Sequence, residues 1–207
     1  MKLGVIAALR TELKPIQAAL PPESPFLFVA SGVGAVLADA AARALPLDLA
    51  GILSVGFCGA LTDELSPGDL VIDPTGSPAL LEAARKAGPH RLGGVRMVDH
   101  VIITTEEKRE IATATGAMAV DMESQAVARV GRERSIAFLC VKVVLDTPSR
   151  PLASTYASAA RVALDVLKRP WIVARMIRDG KRAGLAAERL RDFFVAFAKQ
   201  VQPPKAS

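Results

Sequence analysis

Short apolar runs alternate with amphipathic, helix-like segments over about the first 150 residues. The apolar runs have the length and the β-branched content of buried strands, and turn residues such as Pro21-Pro22 separate them. The pattern predicts strands at about residues 2–8, 26–30, 50–55, 70–72, 96–103, 117–120 and 136–145. It predicts helices at about residues 10–20, 35–45, 78–87 and 122–132, and another that begins at Thr104 or Thr105.

Alternating strands and helices favour one α/β domain in which helices cover both faces of a largely parallel sheet. The length of 207 residues is enough for such a domain to bury a substantial core. Internal repeats and low-complexity linkers are absent from the sequence. We therefore expect an α/β fold without a second globular unit.

The C-terminal part is different, because only helical patterns occur from about Tyr156 onward. Arg169-Pro170 divides the first of these helices from the second, and the second and the last are amphipathic, with Arg and Lys opposite their apolar faces. We expect a main domain over residues 1–167, a basic helical extension of it over 168–202 and a disordered tail over 203–207. The apolar positions are Val173, Met176, Ile177, Gly180 and Gly184 in one helix, and Ala186, Leu190, Phe193, Phe194, Phe197 and Val201 in the next.

The net charge of +5 is concentrated near the C-terminus, where residues 168–207 carry ten Lys or Arg and three Asp or Glu. Such a segment is typical of nucleic-acid binding, of contact with an anionic membrane surface, or of an ordinary solvated helix face. Interleaved aromatic residues and known reader motifs are missing, so we expect no nucleic-acid partner.

Composition also narrows the compartment and the cofactors. No apolar run approaches the roughly 20 residues that span a bilayer, and the N-terminus enters a strand without a secretory signal. Cys58 and Cys140 lie in apolar runs, which predicts buried free thiols in a reducing cytoplasm. His90 and His100 are too scattered for a zinc site, so we expect no metal.

The candidate chemistry lies at the ends of predicted strands, where parallel sheets bind ligands. The run Asp121-Met122-Glu123 stands between an apolar run and a helix, and Asp146 ends a later strand. Carboxylates at such a corner can bind the hydroxyls of a sugar, and a separate acid can protonate a leaving group. Segments 8–12, 31–34 and 56–59 occupy other strand ends. The combination favours chemistry on a ribose.

Residues 31–34, Ser-Gly-Val-Gly, are also similar to part of a dinucleotide-binding loop. The third glycine of that loop is absent, and no acidic residue ends the next predicted strand. We therefore favour a tight strand-to-helix turn.

Five motifs occur in the order found in the nucleoside phosphorylase and nucleosidase family, which the chain resembles over about its first 150 residues. This family includes purine and uridine phosphorylases, methylthioadenosine/S-adenosylhomocysteine nucleosidase and futalosine hydrolase. The resemblance implies a three-layer α/β/α sandwich around a mixed, barrel-like sheet, which replaces the purely parallel sheet, and cleavage of an N-ribosidic bond. The motifs are Gly4–Glu12, Ser31–Gly34, Val55–Leu61 with Pro67–Val71, Ala119–Glu123 and Val141–Asp146.

The resemblance also implies roles for single residues. Glu123 resembles the carboxylate that binds the ribose 2′- and 3′-hydroxyls, with Asp121 as the first carboxylate of that motif. Met122 resembles the side chain packed beneath the sugar. Asp146 resembles the general acid that hydrogen-bonds N7 and the 6-amino group of a purine, and Glu12 the carboxylate that orients the attacking water.

Further residues would complete the site by the same resemblance. The backbone of Val101 and Ile102 would hold the base. The pocket of the nucleophile would be formed by Ser31, Gly32, Phe57, Cys58 and Gly59.

These roles agree with the chemistry. An oxocarbenium-like sugar needs negative groups nearby, and the departing purine must be protonated. A carboxylic acid donates near neutral pH only if its pKa is raised, and the apolar run Val143-Val144-Leu145 before Asp146 would desolvate it. No metal or redox cofactor is required.

The nucleophile is left open between water and inorganic phosphate. Glu12 favours water because a carboxylate repels phosphate, whereas Arg10 could favour phosphate if it faced the site. We favour a surface position for Arg10. The family often has a small polar pair where this chain has Phe57-Cys58, and the nucleosidases usually have Glu at the position of Asp121.

A narrower resemblance, over Val120–Ala128 and Leu167–Gly180, is to the hopanoid-associated branch of the family. It implies adenosylhopane as a lipid-linked substrate, and helices at 170–200 that touch the inner membrane surface, line an apolar channel or simply pack. The alternatives are a methylthioadenosine/S-adenosylhomocysteine or futalosine nucleosidase, a phosphorolytic purine nucleoside phosphorylase, and a non-catalytic nucleoside sensor. A homodimer is expected by analogy.

Overall fold

The computed structural model describes residues 2–102, 104–149 and 181–201. The described residues form eight strands and six helices in one mixed α/β unit. The strands are β1 Leu3–Ala7, β2 Phe26–Ala30, β3 Gly51–Ala60, β4 Leu70–Ile72, β5 Arg91–Leu92, β6 Val95–Met97, β7 Ala119–Asp121 and β8 Ala137–Asp146. The helices are α1 Arg10–Ala19, α2 Ala35–Ala44, α3 Pro78–Arg85, α4 Thr105–Thr115, α5 Ser124–Glu133 and α6 Lys181–Val201.

The two long strands β3 and β8 run parallel at the centre of the sheet. On the far side of β3, β1 and then β2 continue the parallel arrangement. On the far side of β8, β4 is antiparallel and carries the short strand β5. The end of β3 pairs with β7 in antiparallel fashion, and β7 pairs with β6. The purely parallel sheet of the pattern analysis is wrong, and the mixed sheet is confirmed, although it does not close into a barrel.

Helices pack on both faces of the sheet, which confirms the three-layer sandwich. One face buries α1, α3 and α6 against the alternate residues Leu53 and Val55 of β3 and their neighbours in β8. The other face buries α2 and α5 against Ile6 and Ile52. Because side chains alternate across a strand, the central strands supply apolar residues to both layers.

The predicted strand at 96–103 is shorter in the structure and is preceded by the unpredicted strand β5. The amide of Val98 still donates to the carbonyl of Asp121, at 2.8 Å, but the chain then leaves β7. Beyond that point Asp99 and His100 pair with each other through their side chains. The residues up to Ile102 are therefore a loop.

Helix α6 is part of the core. Its apolar face packs against α1, α3 and β8, as the helical spacing of its apolar residues predicts. Phe194 and Phe197 are fully buried, and their rings contact Phe26 and Phe193 at centroid distances of 5.4 to 6.0 Å. This face is therefore unavailable to a membrane. The predicted helix around Val173 and the tail at 203–207 lie outside the described residues.

Two further findings concern membrane-spanning helices and the two cysteines. None of the helices in the described part of the chain has the length and apolarity needed to cross a membrane. Cys58 and Cys140 are buried free thiols, as predicted.

Replacing Phe194 with Ala should lower the free energy of unfolding by about 3–5 kcal/mol, because it leaves a cavity in a filled aromatic cluster. Urea denaturation measures the change, and Gln200→Ala at an exposed position of the same helix is the matched control. Equal, small effects of both substitutions would show that α6 is a surface appendage.

Candidate functional site

A single cavity opens at the ends of β1, β3, β7 and β8, and the three carboxylates Glu12, Glu123 and Asp146 all line it. These residues come from α1, from the start of α5 and from the end of β8, so only the sheet topology brings them together. The rest of the lining is mainly apolar. The other lining residues are Ala8, Leu9, Val33, Phe57, Cys58, Gly59, Val98, His100, Val101, Ile102, Val120, Asp121, Met122, Leu145, Arg182 and Ala183.

Glu12 lies in the first turn of α1 and is held by backbone amides. The amide of Leu9 donates to its Oε2 at 2.8 Å, and the amide of Phe57 donates to its Oε1 at 2.9 Å. A carboxylate near a helix N-terminus also interacts favourably with the helix dipole. These contacts fix the carboxylate between β1 and β3.

Gly56 makes room for this carboxylate. Its φ of +122° is outside the range that L-residues readily adopt, and a Cβ at this position would lie 2.6 Å from Oε1 of Glu12. The glycine of the Val55-Gly56-Phe57 run therefore both bends β3 and lets the amide of Phe57 reach Glu12.

Glu123 precedes the first turn of α5, where β7 ends. Its Oε1 accepts the amide of Gly34 at 2.7 Å. Gly34 has a φ of +100° and belongs to the Ser31–Gly34 turn. The backbone of this turn therefore helps to hold the carboxylate of Glu123. Met122, beside it, forms another part of the wall.

Asp121 is tied into a buried ion pair beneath the cavity. Its Oδ2 lies 2.8 Å from Nζ of Lys142, and its carboxylate accepts the amide and the hydroxyl of Ser124. Lys142, in the middle of β8, also donates to the carbonyl of Val55 at 3.1 Å. Asp121 thus caps α5 and binds Lys142, which leaves Glu123 as the carboxylate of this corner best placed for a ligand.

Asp146 forms a second buried ion pair. Nζ of Lys108, on α4, lies 2.5 Å from Oδ2 of Asp146, and the two side chains are 0% and 4% exposed. The sequence predicts desolvation of Asp146 by the apolar run before it and does not indicate this ammonium. An ammonium in contact favours the ionised carboxylate and so opposes the desolvation expected from Val143 to Leu145.

Burial and charge act in opposite directions on the other carboxylates. Burial raises the pKa of Glu12, and the ammonium of Lys142 partly offsets this. Burial raises the pKa of Glu123 to about 7, with Lys142 acting against the shift and Asp121 adding to it. Burial alone would lower the pKa of Lys142, but the negative charge of Asp121 outweighs it and the pKa is raised. Lys142 is therefore the cation on which this carboxylate cluster depends.

Three of the five residues expected around the nucleophile line the cavity, and two do not. Phe57, Cys58 and Gly59 lie on the cavity wall. Ser31 and Gly32 do not line the cavity, and the Ser31 hydroxyl is directed to the carbonyls of Ala7 and Gly32. Burial raises the pKa of the Cys58 thiol, so this residue is an apolar wall and a poor nucleophile.

The expected base-binding residues Val101 and Ile102 line the cavity in the loop after β6. Their neighbour His100 also lines it, and its Nε2 lies 2.7 Å from Oε1 of Glu107. Arg10 is exposed and lies outside the lining, which agrees with the surface position favoured for it.

The sequence did not indicate four residues that lie at the site or pair with its carboxylates, namely Lys108, Lys142, His100 and Arg182. A lone lysine inside the apolar run of β8 is a signal that could have indicated Lys142, because an unpaired buried ammonium is costly. Lys108 gives no comparable signal, since it stands among charged residues of a helix.

Comparisons with known proteins bear on the family and the fold. A family model described as the phosphorylase superfamily matches residues 73–169. A comparison with curated protein sequences gives no match. Many solved structures share the fold, and three are described here.

The 5′-methylthioadenosine/S-adenosylhomocysteine nucleosidase of Colwellia psychrerythraea, in complex with adenine, has a TM-score of 0.74 at 17% identity, with 97% of this chain and 96% of that chain covered. The enzyme of the same name from Streptococcus pneumoniae, with a transition-state inhibitor, has a TM-score of 0.72 at 16% identity, covering 98% and 100%. Futalosine hydrolase of Helicobacter pylori has a TM-score of 0.68 at 17% identity, covering 93% and 97%.

The family match and the shared fold confirm the resemblance to the nucleoside phosphorylases and nucleosidases. They support a nucleoside-cleaving enzyme. The hopanoid-associated branch goes beyond these findings.

Glu123→Gln should become more stable relative to the wild type as pH rises from about 5 to about 8. A carboxyl whose pKa is raised to about 7 stabilises the fold while it is protonated, and this contribution is lost as pH rises through that value. The full effect is on the order of 3 kcal/mol, and urea denaturation at several pH values measures it.

Exposed Glu82→Gln is the matched control and should leave the pH dependence of stability unchanged. A Glu123→Gln profile parallel to that of the wild type would contradict the assignment of a buried carboxyl with a raised pKa.

Proposed function

We propose that this chain, a relative of the nucleoside phosphorylases and nucleosidases, cleaves the N-glycosidic bond of a 5′-substituted adenosine and releases adenine. The single observation that carries the proposal is that Glu12, Glu123 and Asp146 share one cavity. Three acidic groups in a partly apolar cavity suit a reaction that develops positive charge on a sugar and negative charge on a base.

The three carboxylates would take separate roles. Glu123 would accept hydrogen bonds from the ribose hydroxyls, with Met122 beneath the sugar. Asp146 would face N7 and the 6-amino group of the base, near the loop that carries Val101 and Ile102. Glu12 would orient the nucleophile, because it lines the cavity and its carboxylate is held by two backbone amides.

Water is the nucleophile that the charges favour. Glu12 would repel phosphate, and Arg10 is exposed away from the cavity. Within the described lining, Arg182 and His100 are the basic side chains, and His100 is already bonded to Asp99 and Glu107. A phosphorolytic reaction is the second candidate, since Arg182 is a cation at the wall.

The 5′ substituent is proposed to be large and apolar, as in adenosylhopane. The support is the apolar lining, in which Leu9, Val33, Phe57 and Leu145 offer no hydrogen-bond partner for a polar substituent through their side chains. Methylthioadenosine, S-adenosylhomocysteine and futalosine are the smaller or more polar alternatives. They remain candidates because the solved relatives carry those names.

The homodimer and a peripheral contact with the membrane also stay proposals. Light scattering in solution tests the first, and co-sedimentation with anionic vesicles tests the second. The segment that would carry the membrane contact is 168–180, because the apolar face of α6 is occupied by the core.

Incubation with 5′-methylthioadenosine and other adenosines, with and without phosphate, should release adenine and the free sugar. Chromatography separates the free sugar from the sugar 1-phosphate. Asp146→Asn should lose at least about 100-fold in kcat/KM, because an amide cannot take part in proton transfer to N7. Asp48→Asn, at an exposed position, is the control. Full activity of Asp146→Asn would contradict the assignment, and product only in phosphate would exclude hydrolysis.

For a series of adenosines with 5′-alkyl groups of increasing length, kcat/KM should rise by about fourfold for each methylene that enters the apolar cavity. Steady-state kinetics at fixed detergent measures the trend. A preference for the methylthio compound, with longer chains rejected, would favour the smaller substrates.

A further inference from the structure

Lys108 is the buried residue of α4 and faces the candidate acid. Its side chain is 0% exposed, and its Nζ contacts Oδ2 of Asp146 at 2.5 Å. Lys108 does not line the cavity, whereas Asp146 does. The ammonium therefore lies behind the carboxylate, on the side away from a ligand.

One hydrogen bond joins the start of α4 to the segment that follows β8, and a second one caps the helix. The Thr105 hydroxyl donates to the carbonyl of Pro148 at 2.7 Å, and the Thr104 hydroxyl accepts the amide of Glu107 at 3.2 Å. These contacts place the first turn of the helix, and with it Lys108, next to the residue that ends β8. Gly59 leaves room for the pair, because a Cβ there would lie 3.0 Å from Oδ1 of Asp146 and 3.4 Å from Nζ of Lys108.

Stability alone does not explain this pair. Buried ion pairs repay their desolvation poorly, and apolar side chains of similar size are often as stabilising or more so. The surrounding residues Leu61, Ile102 and Val120 form an apolar cluster that would accept an apolar side chain. A buried lysine that pairs with a cavity-lining carboxylate, without lining the cavity itself, points to control of that carboxylate.

We propose that Lys108 is a positioning residue that keeps Asp146 anionic between turnovers and supplies, through Asp146, the proton that the departing base takes up. This inference rests on the proposed cleavage of an N-glycosidic bond. It assigns the acid function to the Lys108–Asp146 pair instead of to a lone carboxylic acid.

The glycosidic C–N bond breaks and its electron pair goes to the base, which makes N7 basic. Lys108 passes a proton to Oδ2 of Asp146, the carboxyl group turns about its Cβ–Cγ bond, and this O–H protonates N7. The attacking water loses a proton to Glu12. Lys108, now a neutral amine, regains a proton from solvent as the base leaves, and Glu12 releases its own.

Other ionisable groups surround the pair. Cys58 of β3 and Asp63 of the following loop interact electrostatically with Lys108. The Asp121–Lys142 pair lies beneath the same cavity, and His100 and Arg182 lie on its wall. A pH profile must therefore be interpreted as a ratio of variant to wild type, in which the titration of these groups, and of Glu123, cancels.

The test is the pH dependence of kcat/KM for adenine release from 5′-methylthioadenosine by the full chain and its Lys108→Met and Lys108→Arg variants. Arg109→Met, at the exposed neighbouring position of α4, is the matched control. Circular dichroism at each pH identifies the conditions in which every variant is folded.

The ratio of Lys108→Met to wild type should fall by about tenfold or more between about pH 6 and about pH 9. Without the ammonium, the proton that Asp146 passes to N7 has to come from a source other than Lys108, ultimately bulk solvent, whose proton activity falls as pH rises. Lys108→Arg should keep the wild-type pH dependence at a reduced rate, and Arg109→Met should match the wild type throughout. A ratio that is constant with pH would reduce Lys108 to a structural residue and overturn the inference.

If Lys108→Met does not fold, Lys108→Gln replaces it, and its ratio to the wild type should show the same fall between about pH 6 and about pH 9. A Lys108→Gln ratio that is constant with pH would overturn the inference. Absence of adenine release from every adenosine would instead reject the proposed function.

Discussion

The buried ion pair between Lys142 and Asp121 is the interaction on which the candidate site depends. Glu12, Asp121 and Glu123 bring three carboxylates into one partly apolar region, and Lys142 is the cation that lowers their electrostatic cost. Lys142 stands in the central strand β8 and is 1% exposed, so its position is set by the strand register and not by solvent. Removal of this charge would leave hydrogen bonds from backbone amides and Ser124 to offset the burial of three carboxylates.

The sheet makes this electrostatic arrangement possible. Parallel β1, β3 and β8 end at the same edge, and β7 returns antiparallel beside the end of β3. Backbone amides and glycine turns then complete the site: the amides of Leu9 and Phe57 hold Glu12, and the amide of Gly34 holds Glu123. The carboxylates are therefore preorganised by main-chain geometry, and binding a substrate requires little further ordering of these groups.

Much of this arrangement follows from the sequence, because its periodicity and turn residues are local signals. The central strands, the Ser31–Gly34 turn and the corner at Asp121 are examples, as is the apolar face of α6. The partners of buried charges do not follow, since the pairing of Lys108 with Asp146 joins residues 38 positions apart through the tertiary fold. The same limit explains α6: an amphipathic basic helix has the same pattern whether its apolar face meets a membrane or a core, and only the contacts of Phe194 and Phe197 distinguish them.

The central claim is that three distant carboxylates act on one sugar–base linkage. The most direct measurement is a crystal structure with a 5′-thioadenosine analogue whose sugar ring carries a positive charge. The account predicts Glu123 within about 3.2 Å of both ribose hydroxyls, Asp146 at the same range from N7, and Glu12 facing the anomeric carbon. An analogue bound elsewhere, or bound here with these carboxylates out of hydrogen-bonding range, would contradict it.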